Sequence, residues 1–220
     1  MHTMVLATQK GGSGKSTLAV GLGIAAIEDG QRVGMIETDP QGTVSSWGRR
    51  RKNPEPRIER ASSSSEIDRA LQFFKRNDYT LVMIDTASTD NALSRSAMGA
   101  ANFCLMPARP SPADIEAALP TLGAIRKLGT PFAFVLNQTP ARSYRLSEAA
   151  AALHALGVLA LPYIVQRNDH QDAFGAGLGV TEFAPDGKAA EETRGLWQWV
   201  WNKIAAETID HEQTPIRAAG

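Results

Sequence analysis

Residues 9–17, QKGGSGKST, constrain this chain more than any other stretch, because they sit between the apolar run Met4-Val5-Leu6-Ala7 and a long segment of small residues. A strand feeding a glycine-rich turn and then a helix start aims several backbone N–H groups and the positive end of the helix dipole at one point, which suits a polyphosphate. Gly11, Gly12 and Gly14 let the backbone approach such an anion and take positive φ without a steric penalty. Lys15 is placed to reach phosphates as a point charge, and Ser16 and Thr17 open the helix, with the Ser16 hydroxyl placed to ligate Mg²⁺. The general pattern G-x-x-x-x-G-K-[ST] is met in its second half by Gly14-Lys15-Ser16, while Gln9 holds the first glycine position and Ser13 falls among the variable ones. Three glycines alone would read as an ordinary turn. Strand, GKST and helix together favour a nucleotide.

The rest of the chain is long and apolar enough to support such a loop. With 220 residues, 43% hydrophobic and 21% charged, it can bury a full core, and one domain over residues 1–209 with a polar tail at 210–220 is expected. Twenty-three basic residues balance twenty-three acidic ones, so no global field draws the chain to nucleic acid or membrane, and any such contact must come from a local patch. Cys104 stands alone in the run Phe103-Cys104-Leu105-Met106, which excludes a disulfide framework and reads as a buried thiol. Gln9 and Lys10 interrupt the N-terminal apolar run at once, unlike a secretory leader. The most membrane-like stretch, 149–165, contains His154, Gly157 and Pro162 and reads as helix, turn and strand. A cytoplasmic location without stable membrane insertion is expected.

Periodicity predicts alternating strands and helices. Strands are expected at 3–8, 32–38, 57–61, 79–84, 102–106, 131–136 and 159–165, and helices at 16–29, from a Ser63/Glu66 capping box to 75, at 93–101, from Ser111/Asp114 to 129, at 146–156 and at 188–209. Near-continuous apolar strands alternating with helices mean an α/β fold, a mainly parallel sheet covered by helices on both faces. Ligands in such sheets sit at the carboxyl ends of the strands. There the chain places Glu37-Thr38-Asp39-Pro40-Gln41-Gly42, Asp85-Thr86-Ala87 and Asn137. Asp85, ending Leu81-Val82-Met83-Ile84, fits a Walker B carboxylate that orients Mg²⁺, with a helix cap as its other possible role.

Lys10 adds a second lysine to the loop, and KGGSGKST resembles the deviant Walker A signature of the ParA/MinD ATPases, within the P-loop (SIMIBI-like) NTPase class. ETDPQG resembles that family's D-x-D-P-Q switch I, with Glu37 where the family has its first Asp, and residues 86–91 resemble its switch II. The resemblance runs from the N-terminus to about the last helix and is nearest to the short partition ATPases. It implies that Lys10 reaches across a nucleotide-sandwich homodimer, acting like an arginine finger, that Lys15 assists catalysis, that Asp39 positions the attacking water, and that Asn137 contacts adenine. Capping a turn with Thr139 and Pro140 is the other reading of Asn137. The stretch 162–183 is compatible with a dimer-facing helix and a nucleotide lid.

The implied activity is slow ATP hydrolysis, with ATP and Mg²⁺ as cofactors, by a homodimer that binds DNA without sequence preference, associates with the nucleoid and segregates or positions cargo under an activating ParB-like or adaptor protein. Candidate DNA contacts are Arg49, Arg50, Arg51 and Lys52 after Trp47, and Arg167, Lys188, Arg194 and Lys203. A MinD-like membrane-cycling regulator would need a C-terminal amphipathic helix, which IDHEQTPIRAAG does not supply. A small-molecule synthetase, a positioner of protein assemblies and a non-hydrolysing switch are the remaining alternatives.

Overall fold

A computed structural model describes residues 1–141 and 144–213. Six strands, β1 (His2–Leu6), β2 (Val33–Glu37), β3 (Arg57–Arg60), β4 (Leu81–Asp85), β5 (Phe103–Ala108) and β6 (Phe132–Leu136), form one sheet in the order β3-β2-β4-β1-β5-β6. Every pairing is parallel. The helices are α1 (Lys15–Glu28), α2 (Thr43–Arg50), α3 (Ser64–Arg76), α4 (Ala92–Ala100), α5 (Pro112–Leu128), α6 (Tyr144–Leu156), α7 (Asn168–Gly175), α8 (Val180–Phe183) and α9 (Lys188–Gln213).

Strand periodicity splits the core into two layers. Met4, Leu6, Leu81, Met83, Phe103 and Leu105 point to one face and pack with Leu22 and Ile24 of α1, Trp47 of α2, and Leu196, Trp197 and Val200 of α9. Their neighbours Val5, Val82, Ile84, Cys104 and Met106 point to the other face, against Phe74 of α3, Met98 of α4, Leu122 and Ile125 of α5, and Leu153 of α6. Both faces are dry, as all-parallel sheets require. Cys104 is fully buried, and burial pushes its thiol far above the ordinary range.

Local signals act as their chemistry dictates. The Ser63 and Ser111 hydroxyls accept the Glu66 and Asp114 amides at the starts of α3 and α5, and Gly129 closes α5 at φ 71°. The Glu66 carboxylate reaches one residue further back than a capping box would, to the Ser62 amide at 2.7 Å.

Two expectations need correction. No strand forms over 159–165, where only isolated bridges join Phe134 to Leu159 and Thr139 to Val165. Pro162, in the middle, has no N–H to give a ladder. The last helix also runs past 209 to Gln213, into the expected tail, because 210–213 hold no breaker ahead of Pro215. Residues 214–220 of that tail lie outside the described residues.

Candidate nucleotide site

The sheet brings its loops together where β1 lies between β4 and β5, and register sets the chemistry. Leu6 pairs with Asp85, and Asp85 pairs with Glu37, so the two acids follow one another across the sheet on the same side of the loop that follows β1. Within that loop Gly12 and Gly14 take φ of 72° and 88°, which L side chains rarely adopt, and α1 starts directly on Gly14. Two amides from the end of β6 hold the loop from outside. Asn137 Nδ2 donates to the Ser13 carbonyl at 2.7 Å, and Gln138 Nε2 donates to the Gly12 carbonyl at 3.0 Å. Space is tight enough that a Cβ on Gly14 would sit 2.3 Å from Asn137 Nδ2.

Lys15 is only 6% exposed, and its Nζ donates to Ser88 Oγ at 2.6 Å and to the Lys10 carbonyl at 3.4 Å. Burial lowers its pKa from the ordinary value, opposed by the charges of Asp85 and Asp39. Ser16 Oγ donates to Asp85 Oδ2 at 2.7 Å. Burial pushes the Asp85 carboxyl up to about 7, while the Ser16 bond and Lys15 pull it down and the charges of Glu37 and Asp39 add to the rise. Asp85 Oδ1 is buried with no partner among the described residues. An unpartnered carboxylate oxygen beside a serine hydroxyl is a donor set that fits a hard divalent cation, so these residues fit Mg²⁺. Ser16 and Asp85 would hold it, and the ion would supply charge neutralisation at the phosphates.

The acids after β2 have divided roles. Glu37 is buried and turned away from the loop: its Oε1 accepts Val44 N at 2.7 Å, and its Oε2 accepts the Ser45 amide at 3.2 Å and the Ser45 hydroxyl. It therefore caps the positive end of α2, with Arg60 Nε 3.7 Å away. Asp39 is half-buried, its Oδ1 accepting the Gln41 amide at 2.9 Å, and it lies close enough for its charge to act on both Lys15 and Asp85. Lys10 is half-buried, with no hydrogen bond or ion pair of its ammonium seen among the described residues, and its charge acts on Asp114.

Asn137 thus binds the loop itself, and no hydrogen bond from its side chain to the turn at Thr139 and Pro140 is seen among the described residues. Beside it opens a cavity of about 110 Å³ lined by Gly14, Thr17, Gln138, Gln166, Arg167 and His170, so the stretch expected as a lid does border the loop. His170 Nε2 is buried there without a hydrogen-bond partner among the described residues, and burial lowers its pKa against the pull of Glu192 and Asp169. A larger groove of about 650 Å³ between α5 and α6 lies among Pro110, Ile115, Ala149 and their neighbours, away from Lys15 and Asp85.

The basic residues separate as well. Arg51 makes a bidentate pair with Glu182, 2.7 Å at each contact, stacks over Trp47 and is 3% exposed, and Arg50 reaches the Phe174 carbonyl at 3.1 Å. Arg167 pairs with Glu192, and Arg194 with Glu28. Arg49, Lys52, Lys188 and Lys203 remain exposed. Ser88, Gln138 and His170 are not singled out as site residues by the sequence, although Ser88 falls in the segment after Asp85 and His170 in the stretch expected as a lid.

A glycine loop on a helix N-terminus, a buried lysine and a serine–aspartate pair beside it define a phosphate-loop nucleotide-binding protein. The chain belongs to the CobQ/CobB/MinD/ParA nucleotide-binding domain family, whose model matches residues 4–180. It is 28% identical over 199 residues to the maintenance of carboxysome distribution protein A of Halothiobacillus neapolitanus, covering 86% of this chain and 91% of that protein. Protein ParA of Rhizobium radiobacter is 28% identical over 185 residues, covering 79% and 82% of the two chains. The solved ATP complex of a Cyanothece McdA variant superposes with a TM-score of 0.74 at 16% identity, covering 93% of this chain and 96% of that one.

Proposed function

We propose that the chain is a ParA-type ATPase that closes into an ATP-dependent sandwich dimer, binds DNA without sequence preference, hydrolyses ATP slowly and uses the cycle to position cargo. The observation that carries this reading is the division of labour between the two loop lysines. Lys15 is buried against Ser88 beside the Ser16–Asp85 pair, whereas the Lys10 ammonium makes no hydrogen bond or ion pair among the described residues and would be free to act on a partner's phosphates. Residues 1–209 would carry the activity. Asp39 would orient the attacking water rather than act as a strong base, since phosphoryl transfer rests on positioning and charge stabilisation. Gly11, Gly12, Ser13, Gly14, Ser16 and Thr17 would cradle the nucleotide, with Asn137 holding the loop and bordering the base.

Cargo is a protein assembly or a replicon. Relatives that maintain carboxysome distribution favour the first and ParA the second, and both readings call for an adaptor that stimulates turnover. Exposed Arg49, Lys52, Lys188 and Lys203, doubled in a dimer, are the DNA contacts we propose, with nucleoid association as the consequence. Co-sedimentation with nonspecific duplex DNA in ATP, ADP or no nucleotide, at low and moderate salt, tests this. Salt-sensitive binding with ATP alone supports it. Absence of binding in every state would leave the nucleotide fold standing and refute the DNA matrix.

A further inference from the structure

Lys15 presents an unusual balance. Its ammonium is almost fully buried, yet no carboxylate lies within ion-pair distance among the described residues, and its one short contact is the neutral hydroxyl of Ser88 at 2.6 Å. The Lys10 carbonyl adds a long contact at 3.4 Å. A buried cation satisfied by a hydroxyl is held far less firmly than one facing phosphate oxygens, because a formal negative charge adds Coulomb attraction that a hydroxyl lacks. Ser88 belongs to the segment between β4 and α4, where Asn91 caps α4 by accepting the Ser94 amide at 2.7 Å and Asp90 pairs with Arg95 at 2.7 Å. The Lys15–Ser88 bond therefore ties that segment, and through it the start of α4, to the loop after β1.

We propose that Ser88 is a positioning residue that competes with nucleotide for the Lys15 ammonium, so that the segment 86–91 is latched to the nucleotide-free site and let go when phosphate arrives. Lys15 can make three bonds and Ser88 supplies one strong acceptor. Once phosphate oxygens take that donor, the Ser88 hydroxyl loses its partner and the segment is free to reorganise. Occupancy of the loop is then reported to α4 by exchange of a single hydrogen bond, and the free energy of that bond is subtracted from nucleotide affinity. The inference rests on the nucleotide reading of the loop and is independent of DNA and cargo.

Titration calorimetry of the full chain with ADP and Mg²⁺ tests it, using Ser88→Ala and Ser88→Thr. Loss of a hydrogen bond to a charged group in the free state alone should tighten ADP binding by about tenfold in Ser88→Ala, while Ser88→Thr, which keeps the hydroxyl, stays near wild type. Hydrogen exchange supplies the second readout and needs no variant: amides of 87–90 should exchange faster when ADP is added to wild type. In nucleotide-free Ser88→Ala they should already be fast. Unchanged or weaker ADP binding in Ser88→Ala overturns the proposal, even where exchange rises, because a purely structural serine would loosen the segment without touching affinity. Slower exchange of 87–90 on ADP addition overturns it too. Wild-type chain that takes up no ADP would overturn the nucleotide reading itself, and this proposal with it.

Discussion

Replacing Asp85 by asparagine should stabilise the nucleotide-free protein at pH 8 far more than at pH 5. Asp85 is 2% exposed, and burial raises its carboxyl from 3.8 to about 7. For an acid whose folded pKa is raised, the folded state binds more protons than the unfolded one between the two values, so stability is full below about 4 and falls as pH rises toward 7. At pH 8 both states are ionised and the whole shift counts against folding, about 4 kcal/mol. At pH 5 only the unfolded chain is ionised, and the cost is roughly 1.5 kcal/mol. The stability of Asp85→Asn minus that of wild type should therefore grow by about 2–3 kcal/mol between the two pH values. Any fixed cost of packing the amide cancels in that difference, as do the titrating groups on which Asp85 does not act. Urea unfolding without nucleotide or magnesium, at both pH values, measures it. A gap that stays flat or shrinks with rising pH would show that Asp85 is not a desolvated carboxyl. In Mg²⁺ and ATP the order should reverse, since the variant lacks the charge that fits the cation.

Asp39→Ala should keep ATP binding, lose turnover and accumulate the dimer, seen as phosphate release falling to background while light scattering reports a doubled mass. Unchanged turnover would remove Asp39 from catalysis. Lys10→Ala should bind ADP as wild type does but fail to dimerise with ATP, so loss of ADP binding would refute a role across the subunit boundary. Arg51→Ala should cost about 3 kcal/mol in urea unfolding, because it leaves Glu182 without its bidentate partner and strips Trp47 of its cover. A cost below about 0.5 kcal/mol, the value of an ordinary exposed arginine, would return Arg51 to the pool of candidate DNA contacts.

How much of this was legible in the sequence follows from the range of the forces involved. The strands, the loop and Asp85 announce themselves because each is a local pattern: an apolar run, a set of glycines, an acid after four hydrophobic residues. The missing edge strand at 159–165 shows the limit of such patterns, since its composition is right and one proline in the middle decides the outcome through a hydrogen bond it cannot make. Arg51 fails differently. Its run of charge reads as a surface patch, yet Trp47 Nε1 donates to the Leu178 carbonyl and Glu182 meets Arg51 from α8, more than a hundred residues away in the chain. Partners that distant leave no trace in spacing.

Glu37 has a structural role where the family pattern has its first aspartate. An aspartate there would end nearer the strand; the extra methylene lets the carboxylate reach Val44 N and Ser45 N, where α2 presents unsatisfied donors and its positive end. The same carboxylate sits beside Arg60, whose Nη2 donates to the Pro40 carbonyl at 3.3 Å. Glu37 and Arg60 thus fix both ends of the turn that carries Asp39, leaving that side chain with only the Gln41 amide to hold it among the described residues. A firm backbone turn is what the proposed water-positioning role of Asp39 would draw on, with the side chain completing its geometry against a bound phosphate.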